Sequence, residues 1–163
     1  GVTDLNGNPV NFTPTADNKA TVFYYLGPDC PLCINYSKNI REFAAEYRDK
    51  GVNFYGVFTG KFYSKAEIDT YLNEYHINIP VILDPDYTLA KAMKAKVTPE
   101  VFVYNQQGKL QYQGKIDNWI VKLGKKRTIV TEFYLSDALK SLIAGEPVAV
   151  NHTDAVGCII EYR

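Results

Sequence analysis

The strongest constraint on this chain lies between Ala20 and Lys50, where an apolar run ends at a turn and two cysteines follow at Cys-x-x-Cys spacing. Ala20 to Leu26 is rich in β-branched and aromatic residues and does not alternate, the pattern of a strand buried on both faces. Gly27-Pro28-Asp29 breaks it. From Pro31 to about Lys50, Tyr36, Ile40, Phe43, Ala44 and Tyr47 recur at spacings of three and four, one face of a helix, and Gly51 is placed to end it. Cys30 therefore opens a helix, where free N–H groups and the macrodipole favour an anion. A thiol in that place is acidified, and the thiolate is the nucleophile. Cys33 lies one turn on, within reach of a mixed disulfide at Cys30. This spacing predicts Cys30 as the attacking thiol and Cys33 as the resolving thiol.

The rest of the chain reads as alternating strands and helices. Val2-Thr3-Asp4-Leu5 and Val10-Asn11-Phe12 flank an Asn6-Gly7 turn, which predicts an N-terminal β-hairpin. Val52 to Thr59 is a second strand. Ser64-Lys65-Ala66-Glu67 is a capping box, followed by a helical stripe of Ile68, Tyr71, Leu72 and Tyr75. Val81-Ile82-Leu83 is a short strand, and Asp84-Pro85 reads as an N-cap with Pro at the first helical position, opening a helix through Leu89, Ala90 and Met93. Val101 to Tyr104 and Leu110 to Ile116 flank a turn at 105–109 as a hairpin. Leu135, Ala138, Leu139, Leu142 and Ile143 mark a last helix, closed by Gly145. This order predicts an α/β fold with a central mixed sheet flanked by helices, parallel at its centre with an antiparallel edge, in one domain over residues 1–163. Trp119 to Val130 is less regular and carries Lys122, Lys125, Lys126 and Arg127; it reads as a solvated loop or as a basic lip facing a partner.

Several chemistries are disfavoured. Lys and Arg total 18 and so do Asp and Glu, so no overall charge draws in nucleic acid, and no apolar run reaches the length of a membrane span. A structural zinc site needs about four ligands; beyond Cys158, His76 and His152 there is no second close pair. Covalent haem needs His after Cys-x-x-Cys, and residue 34 is Ile. Two inert buried cysteines would fit the count but not the strand–turn–helix setting. No Gly-rich phosphate loop and no Ser/His/Asp arrangement is present, so no cofactor and no metal is expected. His76 reads as a surface residue, and His152 lies near Cys158 in sequence.

Cys30-Pro31-Leu32-Cys33 after an apolar strand, with Val97-Thr98-Pro99-Glu100-Val101-Phe102-Val103 downstream, resembles the thioredoxin-like redoxins, relatives of the AhpC/TSA peroxiredoxins and of periplasmic thiol–disulfide proteins. The resemblance runs from about Val10 to Gly145. It implies a thioredoxin-like fold and a cis peptide at Pro99 facing the dithiol. The backbone of Thr98 would then lie open beside the sulfurs, able to pair with an extended substrate strand. Gly27 to Leu32, Gly114 to Asp117 and Ala155-Val156-Gly157-Cys158 are similar to a subgroup of exported bacterial redoxins. Many members of that subgroup lack the second Cys of the pair and carry one like Cys158. That likeness raises Cys30–Cys158 as a rival pairing, against a Cys158 that is simply a small buried hydrophobe.

Departures from the family narrow the chemistry. Thioredoxins carry a buried acid where this chain has Tyr24. Peroxiredoxins place Thr three residues before the attacking Cys, and here that residue is Gly27. Asp29 beside Cys30 opposes thiolate formation. The expected activity is that of a thiol–disulfide oxidoreductase acting on protein or small-molecule thiols and disulfides. Its catalytic residues are Cys30, Cys33, Thr98 and Pro99, with Cys158 as a possible resolving thiol. A peroxiredoxin-like peroxidase using Cys30 with Cys33 or Cys158, and a copper-binding metallochaperone of the same fold, are the alternatives. The resemblance, and Gly rather than Met at residue 1, point to an exported, periplasmic or extracytoplasmic protein.

Overall fold

The computed structural model describes residues 2–10 and 18–163. In chain order the elements are β1 (Ala20–Tyr25), α1 (Pro31–Asn35), α2 (Ser37–Tyr47), a 3₁₀ turn (Arg48–Lys50), β2 (Val52–Thr59), α3 (Lys65–Glu74), β3 (Val81–Asp84), α4 (Thr88–Met93), β4 (Val97–Thr98), β5 (Glu100–Asn105), β6 (Leu110–Gly114), β7 (Ile120–Lys122), β8 (Lys125–Lys126), α5 (Tyr134–Ile143) and β9 (Cys158–Ile159). Five strands form one sheet in the order β3-β2-β1-β5-β6. β1 and β2 pair in parallel, as do β2 and β3, whereas β5 runs antiparallel to both β1 and β6. This is the mixed, helix-flanked sheet expected from the sequence, and it is the thioredoxin-like fold.

The unalternating β1 sits at the centre of the sheet, and its side chains feed two cores. Val22 and Tyr24 join Leu32, Cys33, Tyr36, Ile40 and Leu139 on one face. Phe23 and Tyr25 join Val57, Ile82, Ala90 and Phe102 on the other. A strand buried on both faces has no reason to alternate, and each fully buried large side chain contributes about 1.5–3 kcal/mol.

Three local readings need correction. The helix expected over 31–50 is interrupted at Tyr36, which has ψ near 3° and donates its hydroxyl to Asp117 at 2.6 Å; only Gly51, with φ of 82°, ends the run as expected. Asp84 is not an N-cap. It closes β3, and its carboxylate reaches forward to accept from the backbone N–H of Leu89 (3.2 Å) and Ala90 (2.8 Å), so it satisfies the α4 terminus from a distance. The segment 119–130 holds the two-stranded β7–β8 hairpin, with the Lys126 ammonium over the Trp119 ring at 5.1 Å. The N-terminal hairpin forms among the described residues, with Thr3 bridging Pro9 and also Leu83 and with the Asp4 N–H donating to the Asn8 carbonyl at 2.8 Å; Asn11 and Phe12 lie outside the described residues. The Ser64–Glu67 capping box also forms in full.

Asp84 is 1% exposed and serves two N–H groups that have no other place to go. Asp84→Ala is expected to lower stability by about 1–3 kcal/mol, read as a lower midpoint in urea denaturation with an unchanged slope.

Candidate active site

The turn after β1 places Cys30 at the N-cap of α1, in extended backbone geometry. Its N–H donates to the Gly27 carbonyl (3.2 Å), and its own carbonyl accepts from Ile34 N–H (3.2 Å), so the turn and the first helical bond hold it from both sides. The Thr98–Pro99 peptide is cis, as the resemblance implied. The Cys30 sulfur lies 3.2 Å from the Thr98 carbonyl oxygen.

Cys33 projects into the first core and is fully buried. Burial pushes its thiol up to about 12; hydrogen bonds from the Gly27 backbone and the Thr98 side chain act the other way and are outweighed. The Tyr71 hydroxyl donates to the Cys33 carbonyl at 3.1 Å.

The Thr98 edge is not open. Residues Cys158 and Ile159 form β9 and pair antiparallel with β4, in the register Thr98 to Cys158 and Val97 to Ile159. Cys158 is disulfide-bonded to Cys30, with the Cα atoms 6.1 Å apart, inside the usual range. Cys33 is the free cysteine. The structure thus joins Cys30 to Cys158 rather than to Cys33, the pairing that the likeness to exported redoxins raised. The place foreseen for a substrate strand is filled by the chain's own C-terminal segment.

A groove of about 730 Å³ opens beside the bridge, walled by Cys30, Thr98, Cys158, Tyr63, Phe62 and Ile159, among others. Phe62 and Ile159 are strongly exposed on its rim. The Tyr63 hydroxyl donates to the Asp29 carboxylate, tying the loop after β2 to the turn before Cys30. No spacing rule signals this tie, because residues 29 and 63 are joined only by the sheet between them. The three sulfurs differ in access. Cys33 is sealed in the core, Cys30 is 2% exposed, and Cys158 is half-buried in the groove wall.

Other candidates fall away from the sulfurs. Tyr24, at the position of the thioredoxin acid, is fully buried, and its hydroxyl has no hydrogen-bond partner among the described residues. Burial raises its pKa, so it holds its proton. His152 is paired with Asp154 at 3.1 Å, and His76 is exposed at the end of α3. Among the described residues no group of three His, Cys, Asp or Glu is placed to hold a metal ion, and no helix is long and apolar enough to cross a membrane.

The family model of the redoxins matches residues 2–119. Thiol-disulfide oxidoreductase ResA of Bacillus subtilis (strain 168) is 24% identical over 107 residues, 66% of this chain and 58% of its own length. The chain therefore spans just under three fifths of that relative. A hypothetical protein of Sinorhizobium meliloti 1021 superposes with a TM-score of 0.86 at 23% identity, covering 99% of this chain and 90% of that one. An uncharacterised conserved protein of Geobacillus kaustophilus gives 0.83 at 23% identity, covering 99% and 87%. A secreted disulfide oxidoreductase of Mycobacterium tuberculosis gives 0.59 at 18% identity, covering 88% and 93%. These likenesses share the fold.

The buried Cys33 thiol gives a direct expectation. In the bridged protein, alkylation of Cys33 at pH 7 is at least 100-fold slower than that of an exposed thiol, and one thiol per chain appears on denaturation. Burial favours the neutral form, so from about pH 8.5, where an unfolded thiol ionises, up to about pH 12 the folded chain binds the extra proton. Stability falls as pH rises through that window. Rapid labelling of the folded, bridged protein at pH 7 would contradict the burial.

Proposed function

This chain belongs to the redoxin family, and from that premise we propose that it is a thiol–disulfide oxidoreductase whose nucleophile is Cys30, with Cys158 and Cys33 as its two alternative partners. The observation that carries this reading is the bridge from Cys30 to a strand lying on Thr98, with the free Cys33 one turn behind. Three thiols around one backbone segment suit transfer of a disulfide by exchange.

The chemistry runs in balanced steps. A reduced partner's thiolate attacks the Cys30 sulfur where it lines the groove; a partner–Cys30 disulfide forms, and Cys158 leaves as a thiolate. A second partner thiol then attacks the partner's sulfur of that mixed disulfide and releases Cys30, so two electrons have passed from the partner dithiol to the Cys30–Cys158 pair. In the reverse direction the Cys30 thiolate attacks a partner disulfide, and Cys158 or Cys33 resolves the mixed species. Cys33 needs its proton removed first, which its burial disfavours. That supports Cys158 as the faster resolving thiol.

The partners are protein or small-molecule thiols and disulfides. Export to an oxidising compartment is part of the proposal: a Cys30–Cys158 bridge persists there and not against the reducing pool of a cytosol, and one structural neighbour is a secreted protein. The peroxidase reading shares Cys30 and Cys158 but has Gly27 where the family's Thr would orient the peroxide.

Exchange with glutathione disulfide, followed by mass spectrometry, tests this reading. Cys30→Ser is expected to abolish exchange, by at least 100-fold. Cys158→Ser is expected to let the mixed disulfide at Cys30 accumulate. Unchanged exchange in Cys30→Ser, or wild-type inactivity toward several disulfides alongside rapid sulfenic acid formation at Cys30 with hydrogen peroxide, would overturn it.

A further inference from the structure

Residues 156–162 bind the site as an extended ligand would. Val156 and Cys158 pack on the first core and Ile160 on the second, while Ile159 and Glu161 face outward. That is the period of two of an extended strand. The Ile160 N–H donates to the Lys96 carbonyl at 2.9 Å, which continues the β4–β9 pairing past the bridge. Tyr162 lays its ring 5.3 Å from that of Tyr87 and donates its hydroxyl to the Ala90 (3.2 Å) and Ala95 carbonyls. On the other side of the cysteine, a Cβ at Gly157 would overlap the Thr98 carbonyl and press on the Pro99 nitrogen. So the residue before the cysteine has to be glycine for the strand to lie this close.

We propose that the C-terminal strand is a tethered stand-in for the partner, and that the partner is an extended polypeptide segment reading Gly-Cys-x-apolar-x-aromatic, which takes the same antiparallel place on Thr98 once the tail has left. This rests on the exchange reading above. The tail leaves without any outside oxidant or reductant. The Cys33 thiolate attacks the Cys30 sulfur, the Cys30–Cys158 bond breaks, a Cys30–Cys33 bond forms, and Cys158 departs as a thiolate that takes up the proton Cys33 gave up. Backbone pairing then provides affinity, while the glycine and the alternate side chains provide selectivity. The tether holds the stand-in at high effective concentration, so only segments with matching chemistry compete with it.

The test uses the full chain with Cys33→Ser and Cys158→Ser, leaving Cys30 as the reacting thiol. Its probe is a peptide of residues 155–163 carrying Cys158 as a 2-thiopyridyl disulfide. Attack by Cys30 forms the peptide–Cys30 disulfide and releases 2-thiopyridone, read by absorbance; 2,2′-dipyridyl disulfide measures the bare reactivity of Cys30. The peptide is expected to react at least tenfold faster than the same peptide with Gly157→Val. Driving the chain's own tail off, by Gly157→Val or separately by Tyr162→Ala, is expected to raise the peptide-to-dipyridyl rate ratio at least tenfold. Equal rates for the two peptides, or no rise in the ratio with either tail variant, would overturn the proposal while leaving the exchange reading intact. Silence toward dipyridyl disulfide as well would sink both.

Discussion

The backbone of Thr98 is the point on which the site depends. Its carbonyl lies against the Cys30 sulfur, its side chain reaches the Cys33 sulfur, and its register partner is Cys158. The cis peptide to Pro99 follows directly. Thr98 lies far from Cys30 in sequence, and the central sheet brings the two together: β1 delivers Cys30 to its C-terminal end, and β5, antiparallel beside it, delivers Thr98 to the same end. The doubly buried β1 is therefore both the middle of the fold and the support of the chemistry. Joining residues 128 apart, the bridge also closes a loop over most of the chain, a constraint on the unfolded state worth about 5 kcal/mol in the chain-entropy treatment.

In the exchange proposed for this chain, access decides how the three sulfurs divide the work. A fully buried thiol keeps its proton and waits, as Cys33 does. Cys158 is half-buried in the groove wall. Cys30 lies between them, beside both. Tyr24 contributes packing against Phe54 and no proton transfer. The polar group that does stand over the turn is Asp29, held by Tyr63 from the loop after β2.

Much of this was legible in the sequence, for physical reasons. Cys30 and Cys33 announce themselves because a strand, a Gly-Pro-Asp turn and a helix surround them. Ser64 and Glu67 specify a helix start through bonds local to four residues, and that start forms as read. What the sequence hid depends on distant partners. Asp84 sits before Pro85 and so resembles an N-cap, but the turn at 85–87 moves the helix on, and the carboxylate follows its N–H groups instead. The pairing of Cys158 rested on family likeness alone, since no spacing rule links residues 30 and 158. The alternation of Val156, Cys158, Ile160 and Tyr162 was a strand signal in principle. It is short, and it has meaning only beside β4, with Gly157 making the close approach possible.

Cys30 rests on Cys158, and Cys33 stays a free, buried thiol. Non-reducing peptide mapping of the oxidised, alkylated protein tests it most directly. The expected result is a disulfide-linked pair of peptides carrying Cys30 and Cys158, with Cys33 recovered as a thiol that is alkylated only after denaturation. Recovery of Cys30 bonded to Cys33, with Cys158 alkylated in the native protein, would contradict it.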